Sequence, residues 1–278
     1  MKKEIYLALL GLLFLSGCGG DSSSSSDNSS NAIAVYNQAY QQNYEEDSIS
    51  EIVTYAKDAY VLVDPFLNGV VENIESIKSN NNQVSGYISI GTGEEYRDDF
   101  VELEPYLTTI PWNDWSDEYF VSETTTGIID VMKKRIDKMA NWGLDWVEFD
   151  NMDWLDENSS DYNLKVTSVE AVKYVNTLCE YTHQKGMKCM AKNIVKGFDS
   201  FDGVLYESFN NNKNWWDKAG MKSFLDAGKL VIVNHYNEKE CDKVYKEYTD
   251  YYHNIEISFI CEDSDLERYK HYRNGELI

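Results

Sequence analysis

The amino-acid sequence predicts an α/β fold, a single (β/α)8 TIM barrel. Short apolar runs alternate with segments of helical periodicity along most of the 278-residue chain, a pattern typical of a parallel sheet with helices outside it. Eight such runs, in a length that suits one large domain, favour a closed barrel over an open sheet. The predicted strands are Ala32–Tyr36, Tyr60–Asp64, Val84–Ile90, Leu144–Asp150, Met187–Lys192, Gly203–Glu207, Leu230–Asn234 and Ile255–Ile260.

Helices are predicted between the strands, where apolar residues recur every three or four positions. The clearest are Gly127–Ala140, Val169–Gln184 and Lys239–Tyr251. Gly143 and Gly186 stand where helices should end before the next strand. A Ser or Thr followed three residues later by Glu indicates a helix start, since the two side chains can satisfy exposed backbone N–H groups reciprocally. Such pairs are Ser48 with Glu51, Thr167 with Glu170, and Ser264 with Glu267.

The longest segment predicted to be irregular runs from about Glu102 to Thr126 and contains Trp112 and Trp115. Long loops in compact domains are usually functional or disordered, and the two tryptophans favour a function. No GxGxxG motif follows the first strand, which disfavours a dinucleotide-binding fold.

The first residues predict an exported lipoprotein. Lys2 and Lys3 precede an apolar run that ends in Leu15-Ser16-Gly17-Cys18, a signal peptide that resembles a bacterial lipobox. We therefore expect residues 1–17 to be removed and Cys18 to carry lipid, with an ordinary signal peptide as the alternative. Residues 18–31 are mostly Ser, Asp and Asn and predict a flexible linker, and residues 32–278 form the barrel domain. The expected location is the outer membrane or the cell surface.

The net charge of −23 disfavours nucleic acid and anionic membrane surfaces as partners. It is compatible with a cationic substrate and, equally, with solubility alone. Outside the cytoplasm the remaining cysteines could form two disulfides with three possible connectivities, or they could be free and buried. No zinc motif accompanies them, so the sequence predicts neither a metal nor an organic cofactor. These cysteines are Cys179, Cys189, Cys241 and Cys261.

Two predicted strands end in carboxylates, which points to glycoside chemistry. Glu148 and Asp150 share one face of the fourth strand because side chains alternate along a strand. Glu207 ends the sixth strand. Active groups of parallel barrels gather at the carboxyl ends of the strands, and glycosidic cleavage needs two carboxyl groups in different roles. Asp150 and Glu207 are therefore the predicted catalytic pair, with Lys192 between them holding one carboxyl group ionised.

Each prediction at the site has a structural alternative. Asp150 could cap the following loop, and Glu207 could form an ion pair with Lys192. Glu148 could support the site or be a buried structural partner. The aromatic residues could be sugar platforms or core residues. The residues predicted to bind substrate are Asp64, Tyr87, Ser89, Glu94, Trp112, Trp115, Glu148, Asn151, Asp153, Lys192, Asn193 and Asn234.

Five segments in order resemble glycoside hydrolase family 114. They are Gly86–Gly91 with Glu94–Arg97, Gly143–Asp153, Ala191–Asn193, Tyr206–Ser208 and Cys261–Leu266. The resemblance implies endo-α-1,4-polygalactosaminidase activity on a cationic amino-sugar exopolysaccharide. It also implies that the two acids of the family are Asp150 and Glu207. By analogy with other barrels that use acids of the fourth and sixth strands, we expect Asp150 to be the nucleophile and Glu207 the acid/base, with exchanged roles or an inverting mechanism left open. The alternatives are a tethered glycan-binding barrel without turnover, and a glycosidase of the same fold acting on another α-linked polysaccharide.

Overall fold

The computed structural model describes residues 32–40, 46–155, 162, 164–208, 216–236, 240–253, 256–262, 269–273 and 276–277. The predicted signal peptide, the lipidation at Cys18 and the Ser-rich linker lie outside the described residues. No helix within the described part of the chain is long and apolar enough to span a membrane.

The described residues form twelve strands. Eight belong to the barrel, and the other four are short additions at its rim and its end. In chain order they are β1 Ala34–Asn37, β2 Ala59–Val63, β3 Gln83–Ser89, β4 Thr92–Glu94, β5 Glu118–Phe120, β6 Trp146–Asp150, β7 Lys188–Lys192, β8 Gly203–Ser208, β9 Leu230–His235, β10 Ile257–Glu262, β11 Tyr269–Arg273 and β12 Glu276–Leu277.

Eight parallel strands form a nearly closed barrel in the order β1-β2-β3-β6-β7-β8-β9-β10. All eight predicted strands are present, so the predicted TIM barrel is confirmed. Side chains link the first and last barrel strands: the Ile33 backbone N–H donates to Ser258 Oγ at 2.9 Å, and Asn37 Nδ2 donates to Glu262 Oε1 at 3.1 Å. β11 pairs antiparallel with β10, and β12 pairs antiparallel with β11.

In the described part of the chain, seven α-helices accompany the strands. In chain order they are α1 Glu46–Tyr55, α2 Ile74–Lys78, α3 Phe100–Leu103, α4 Thr126–Asn141, α5 Ser168–Gln184, α6 Lys218–Asp226 and α7 Cys241–Tyr252. The three helices named from sequence periodicity are α4, α5 and α7, each within two residues of its predicted ends. Short 3-10 helices occupy Val71–Asn73 and Glu104–Tyr106.

The helix-end predictions had mixed outcomes. Thr167 and Glu170 form the predicted capping box at the start of α5, and Gly143 and Gly186 follow helices with φ of +79° and +82°, a conformation that suits glycine. The prediction for Ser48 is wrong, because α1 already begins at Glu46. The third pair, Ser264 with Glu267, lies outside the described residues.

The segment predicted to be irregular, Glu102 to Thr126, contains regular structure. It includes the end of α3, a 3-10 helix and β5, which pairs antiparallel with β4 to make a hairpin-like addition to the barrel. The Thr92↔Phe120 register fixes this addition beside the carboxyl end of β3. The sequence prediction failed here because strands of three residues leave too few alternating positions to recognise.

The barrel interior contains an apolar layer of alternate strand residues that is separate from the larger core under the helices. Because side chains two positions apart share a face of a strand, the residues two positions beyond this layer also face inward. Four strands thereby place Ser89, Lys192, Glu207 and Asn234 above the layer, at their carboxyl ends. β6 reaches further, with Glu148 two positions and Asp150 four positions beyond Trp146 on the same face. The apolar layer consists of Val35, Tyr60, Leu62, Tyr87, Trp146, Met190, Leu205, Ile232 and Ile260.

Two disulfides join parts of the outer layer. Cys179 of α5 bonds to Cys189 of β7, and Cys241 of α7 bonds to Cys261 of β10. Each therefore ties a helix to a barrel strand, and the structure selects one of the three connectivities that the sequence left open.

Candidate active site

Lys192 lies at the centre of the polar layer, with its side chain only 2% exposed. Its Nζ donates to the Tyr40 hydroxyl at 2.7 Å and to Asp150 Oδ1 at 3.2 Å. The same nitrogen lies 3.4 Å from Glu207 Oε1 and 3.8 Å from Glu148 Oε1. Burial acts to lower the pKa of Lys192, but Asp150, Glu207 and Glu148 outweigh it and raise the pKa above its ordinary value. The lysine is therefore a permanent cation between three carboxyl groups.

Asp150 and Glu207 approach one another through this lysine. The two oxygens that contact Nζ can be no further apart than the sum of 3.2 Å and 3.4 Å, which is 6.6 Å. Unlike Lys192, both acids keep some access to solvent, with side chains 18% and 21% exposed. The two strand ends therefore converge, as the sequence predicts. The ion pair between Glu207 and Lys192, which was the structural alternative, is also present.

Glu207 is oriented by two neighbours on either side of its strand. Asn193 Nδ2 donates to Glu207 Oε2 at 2.8 Å, and the Tyr236 hydroxyl donates to Oε1 at 2.8 Å. Asn193 also accepts from the Glu207 backbone N–H at 2.9 Å. Asn193 holds this position in the left-handed region, with φ of +60°, which asparagine tolerates better than most residues. The carboxylate is thus fixed in one orientation.

Glu148 lies below Asp150 and is fully buried. It accepts a hydrogen bond from the Tyr40 hydroxyl. Burial raises the pKa of Glu148 to about 7, although the charge of Lys192 and the Tyr40 hydrogen bond oppose the rise. Glu148 consequently supports Tyr40 and Lys192 from beneath, which favours the supporting role over direct contact with substrate.

Asn151 turns the chain immediately after Asp150, with φ of +56°. Its Nδ2 donates to Ser89 Oγ at 2.9 Å and to Thr92 Oγ1 at 3.3 Å, and Thr92 Oγ1 in turn donates to Glu118 Oε2 at 2.6 Å. Gly91 is required beside this turn, because a Cβ there would collide with the Asn151 carbonyl oxygen. Ser89 and Asn151 therefore fix the end of β6 that carries Asp150.

Asp64 and Glu94, both predicted to bind substrate, belong to a buried ionic network. Arg97 donates to Glu94 through Nε at 2.9 Å and to Asp64 through Nη1 at 2.9 Å. Arg135 Nη1 lies 3.8 Å from Glu94 Oε2. Asp64 and Glu94 are only 4% and 1% exposed. Their carboxylates therefore form ion pairs inside the protein.

The predicted sugar platforms occupy three different environments. Tyr87 is buried in the inner layer and meets Tyr40 edge to face at 5.9 Å. Trp112 is partly buried and packs on Phe120 at 4.9 Å between ring centroids. Trp115 is 51% exposed, and of the three it is the ring that can meet a long ligand from solution.

Two further predicted residues complete the set. Asp153 reaches solvent, but the surrounding protein partly desolvates its carboxyl group. This desolvation, together with repulsion from Asp150 and Glu207, raises the pKa of Asp153 to about 6. The charges of both predicted catalytic acids therefore act on Asp153. Asn234 is buried and donates from Nδ2 to the Tyr236 hydroxyl at 3.3 Å. It therefore supports the tyrosine that holds Glu207.

Tyr40 and Tyr236 are site residues that the sequence prediction missed. Tyr40 lies three residues beyond the last residue of β1, and Tyr236 lies one residue beyond the last residue of β9. Relative to the predicted strands, Tyr40 lies four positions beyond Tyr36 and Tyr236 lies two positions beyond Asn234, so polar aromatic residues shortly after a predicted strand end are the signal that could have indicated them. Their hydroxyl groups remain protonated, because burial and then the neighbouring carboxylates raise the pKa of both well above its ordinary value.

Two solved structures illustrate the likeness of this fold to known proteins. The crystal structure of Aspergillus fumigatus Ega3 in complex with galactosamine matches 91% of this chain and 100% of its own, with a TM-score of 0.69 and 18% identity. The glycoside hydrolase domain of PelA from Pseudomonas aeruginosa matches 85% of this chain and 96% of its own, with a TM-score of 0.61 and 11% identity. At these identities the likeness establishes the fold.

Sequence comparison supplies the family. No curated protein matches the chain significantly. The profile of glycoside-hydrolase family GH114, however, matches residues 23–277, which is almost the whole chain, including every strand of the barrel. The protein is therefore a glycoside hydrolase, and it belongs to family GH114.

Proposed function

We propose that this protein is an endo-acting hydrolase of α-1,4-linked galactosamine and N-acetylgalactosamine exopolysaccharide, with Asp150 as nucleophile and Glu207 as acid/base. The observation that carries the assignment is the contact of Lys192 Nζ with both acids, at 3.2 Å and 3.4 Å. One buried cation thereby fixes the distance between two partly exposed carboxyl groups.

The separation of the acids favours a retaining mechanism. Retaining glycosidases hold their carboxyl groups about 5–5.5 Å apart, whereas inverting enzymes need about 6.5–9.5 Å to admit a water molecule. The upper limit of 6.6 Å set by Lys192 leaves almost no overlap with the longer range.

In the first step an Asp150 oxygen attacks the anomeric carbon as the bond to the leaving sugar breaks, and Glu207 gives its proton to the departing oxygen. In the second step Glu207 takes a proton from water, whose oxygen displaces Asp150. Lys192 remains charged throughout and stabilises the negative charge of the carboxylates. Asn193 and Tyr236 hold Glu207 in position for both proton transfers.

An amino-sugar polymer suits the electrostatics of this chain. The net charge is −23, and a partly deacetylated galactosamine polymer is a polycation, so long-range attraction raises its local concentration. Ega3, which shares the fold, was crystallised with galactosamine. Exposed Asp153 and Trp115 offer a carboxylate and a ring face to such a chain.

The same proposal includes a membrane anchor. The Leu15-Ser16-Gly17-Cys18 sequence supports cleavage before Cys18 and lipid on that cysteine, and the Ser-rich linker would let the barrel reach an extracellular polymer. Metabolic labelling with a fatty acid analogue tests this part. Incorporation into the wild type and its loss in Cys18→Ser is the expected result.

The central experiment measures release of reducing ends from partly deacetylated α-1,4-galactosaminogalactan. Wild type is compared with Asp150→Asn, Glu207→Gln and the exposed control Glu104→Gln. We expect turnover in the wild type and the control and a loss of at least about 1,000-fold in both site variants. An α-anomer as the first product, detected by NMR, would establish retention; a β-anomer would contradict it.

The second candidate function is a tethered glycan-binding barrel. Exposed Trp115 and Asp153 favour this function as much as catalysis. Binding of the polymer without turnover, shared by wild type and both site variants, would support it over the hydrolase.

A further inference from the structure

A second cluster of reactive side chains lies at the opposite end of the barrel from the acids. Cys179 and His183 are one helical turn apart on α5, and Cys189 is the second residue of β7. Asp202 immediately precedes β8. Because Lys192 ends β7 at the site, Cys189 and Asp202 lie toward the amino ends of their strands, away from the carboxyl groups described above.

His183 Nε2 lies close to a ligand atom of each of the other three residues. His183 Nε2 is 3.9 Å from Cys179 Sγ and 3.7 Å from Cys189 Sγ, and it is 2.8 Å from Asp202 Oδ2. A tetrahedral Zn²⁺ ion with bonds of about 2.0–2.3 Å separates its ligands by roughly 3.4–3.8 Å. Both nitrogen–sulfur distances are therefore already close to those of a zinc site. The two sulfur atoms separate once the bond between them is reduced, and Asp202 moves away from His183 Nε2 to admit the ion.

Burial and second contacts suit a metal site with an entry path. Both cysteines are fully buried, whereas the side chains of His183 and Asp202 are 37% and 32% exposed. Asp202 Oδ2 also accepts from the Cys189 backbone N–H at 2.8 Å, which holds the carboxylate beside the sulfur. Two sulfurs, one imidazole and one carboxylate are a donor set that Zn²⁺ accepts.

We propose that the chain binds one Zn²⁺ through Cys179, His183, Cys189 and Asp202 when the Cys179–Cys189 disulfide is reduced. A thiol or phosphine reductant supplies two electrons, and with two protons the disulfide becomes two thiols. Zinc binding displaces those two protons and forms two thiolate bonds. Oxidation of the thiolates back to the disulfide, with two electrons passing to the oxidant, releases the ion. The redox state of Cys179 and Cys189 therefore determines whether the cluster can bind the ion.

No sequence motif indicates this site, because its ligands do not follow a zinc-binding spacing. Cys179 and His183 are four residues apart on a helix, but Cys189 and Asp202 join them only through the packing of α5 against β7 and the strand order of the barrel. Among the described residues, Cys179, His183 and Cys189 bring three potential metal ligands together, and no such group of three lies at the second disulfide.

The test uses the full chain, reduced with a phosphine under nitrogen and titrated with Zn²⁺ by calorimetry. The same protein titrated with Co²⁺ reports thiolate bonds through their charge-transfer absorption. We expect one ion per reduced chain and no binding to the oxidised chain. His183→Ala and Asp202→Asn should each weaken zinc binding at least about tenfold.

A matched pair of double variants locates the site. Cys179→Ser with Cys189→Ser should abolish the Co²⁺ absorption, whereas Cys241→Ser with Cys261→Ser should retain it. Equal zinc binding by the oxidised chain, no binding by the reduced chain, or binding unaffected by His183→Ala would each overturn the proposal. Because His183 is exposed, its alanine variant tests the site even if a cysteine variant fails to fold.

Discussion

Lys192 shows how one residue organises the whole site. A lysine that is 2% exposed keeps its proton only because carboxylates surround it. The lysine in turn offsets the repulsion between acids that converge on it. Neither the lysine nor the acids would be stable at these positions alone, which is why the cluster acts as a unit.

Replacing Lys192 with methionine keeps the length of the side chain and removes its charge. We expect kcat to fall at least about 100-fold, and the free energy of unfolding to fall by on the order of 3 kcal/mol, because buried carboxyl groups lose their cation. Kinetics on the polymer and urea unfolding measure both effects. Lys188→Met, an exposed lysine at the other end of the same strand, is the control and should leave both quantities unchanged. A Lys192→Met enzyme with normal kcat would contradict the proposed role.

Tyr236→Phe removes one hydrogen bond to Glu207 Oε1 and leaves the ring in place. The carboxylate should then sample other orientations, and we expect kcat to fall about tenfold with little change in KM. Steady-state kinetics provide the measurement, with Tyr55→Phe as an exposed control. If KM rises and kcat stays constant, the hydroxyl contacts substrate instead of positioning Glu207.

At the residue scale, the sequence indicated the two acids and Lys192 between them, but not the tyrosines that surround them. Asp150, Glu207 and Lys192 were recognisable because each ends an apolar strand. Tyr40 and Tyr236 stand beyond strand ends, where the chain direction depends on turns that periodicity does not reveal. Asp64 and Glu94 also end or follow strands, yet they pair with Arg97, whose position depends on the β4–β5 addition.

At the scale of elements, strand register decides which residues share the site. Phe149 lies one position away from both Glu148 and Asp150 and belongs to the core under the helices. A shift of one residue in β6 would therefore exchange the acids with the apolar core. The apolar residues Trp146 and Val147 hold the register from both faces of the strand.

The capping box of α5 gives a prediction for a single element. Thr167→Ala removes the side-chain acceptor of the Glu170 N–H, and we expect a loss of about 1 kcal/mol in the free energy of unfolding. The matched control is Thr125→Ala, since Thr125 precedes α4 without a side-chain cap hydrogen bond. Both variants are measured by urea unfolding. An equal loss in the free energy of unfolding for the two would contradict a specific contribution of the capping box.

At the scale of the whole molecule, buried acids make stability depend on pH. Burial raises the pKa of Glu118 to about 7 from an ordinary value of 4.5, with Glu94 and Asp150 adding to the rise against the Thr92 hydrogen bond. A folded-state pKa above the unfolded value stabilises the fold fully below the unfolded pKa, and this contribution is lost as pH rises through about 7.

Glu118→Gln should therefore change stability only at higher pH. We expect the variant to gain up to about 3 kcal/mol relative to wild type between pH 4.5 and pH 8. Urea unfolding at both pH values provides the measurement. The exposed control Glu104→Gln should show no such gain, and a pH-independent difference for Glu118→Gln would show that Glu118 titrates normally.

The overall charge of −23 leads to a prediction about salt. Raising ionic strength from about 0.05 to 0.5 M shortens the range of electrostatic attraction several-fold. We expect KM for a deacetylated, cationic polymer to rise with salt, and KM for the fully acetylated polymer to stay nearly constant. Initial rates over a substrate range measure both. If salt changes KM equally for the two polymers, the negative charge of the protein does not determine which polymer it prefers.

The sequence by itself determined the barrel, its eight strands and the two acids, because strand apolarity and strand-end polarity are local patterns. Only the tertiary structure showed that Tyr40 holds Lys192 and that Asn193 and Tyr236 hold Glu207. Lys192 contacts Tyr40 across 152 positions of sequence, and such contacts depend on strand order and register. For the same reason it decided the disulfide pairing and brought His183 and Asp202 beside Cys179 and Cys189. Interactions between distant segments follow from how the elements pack, and a linear pattern of residue types does not contain that packing.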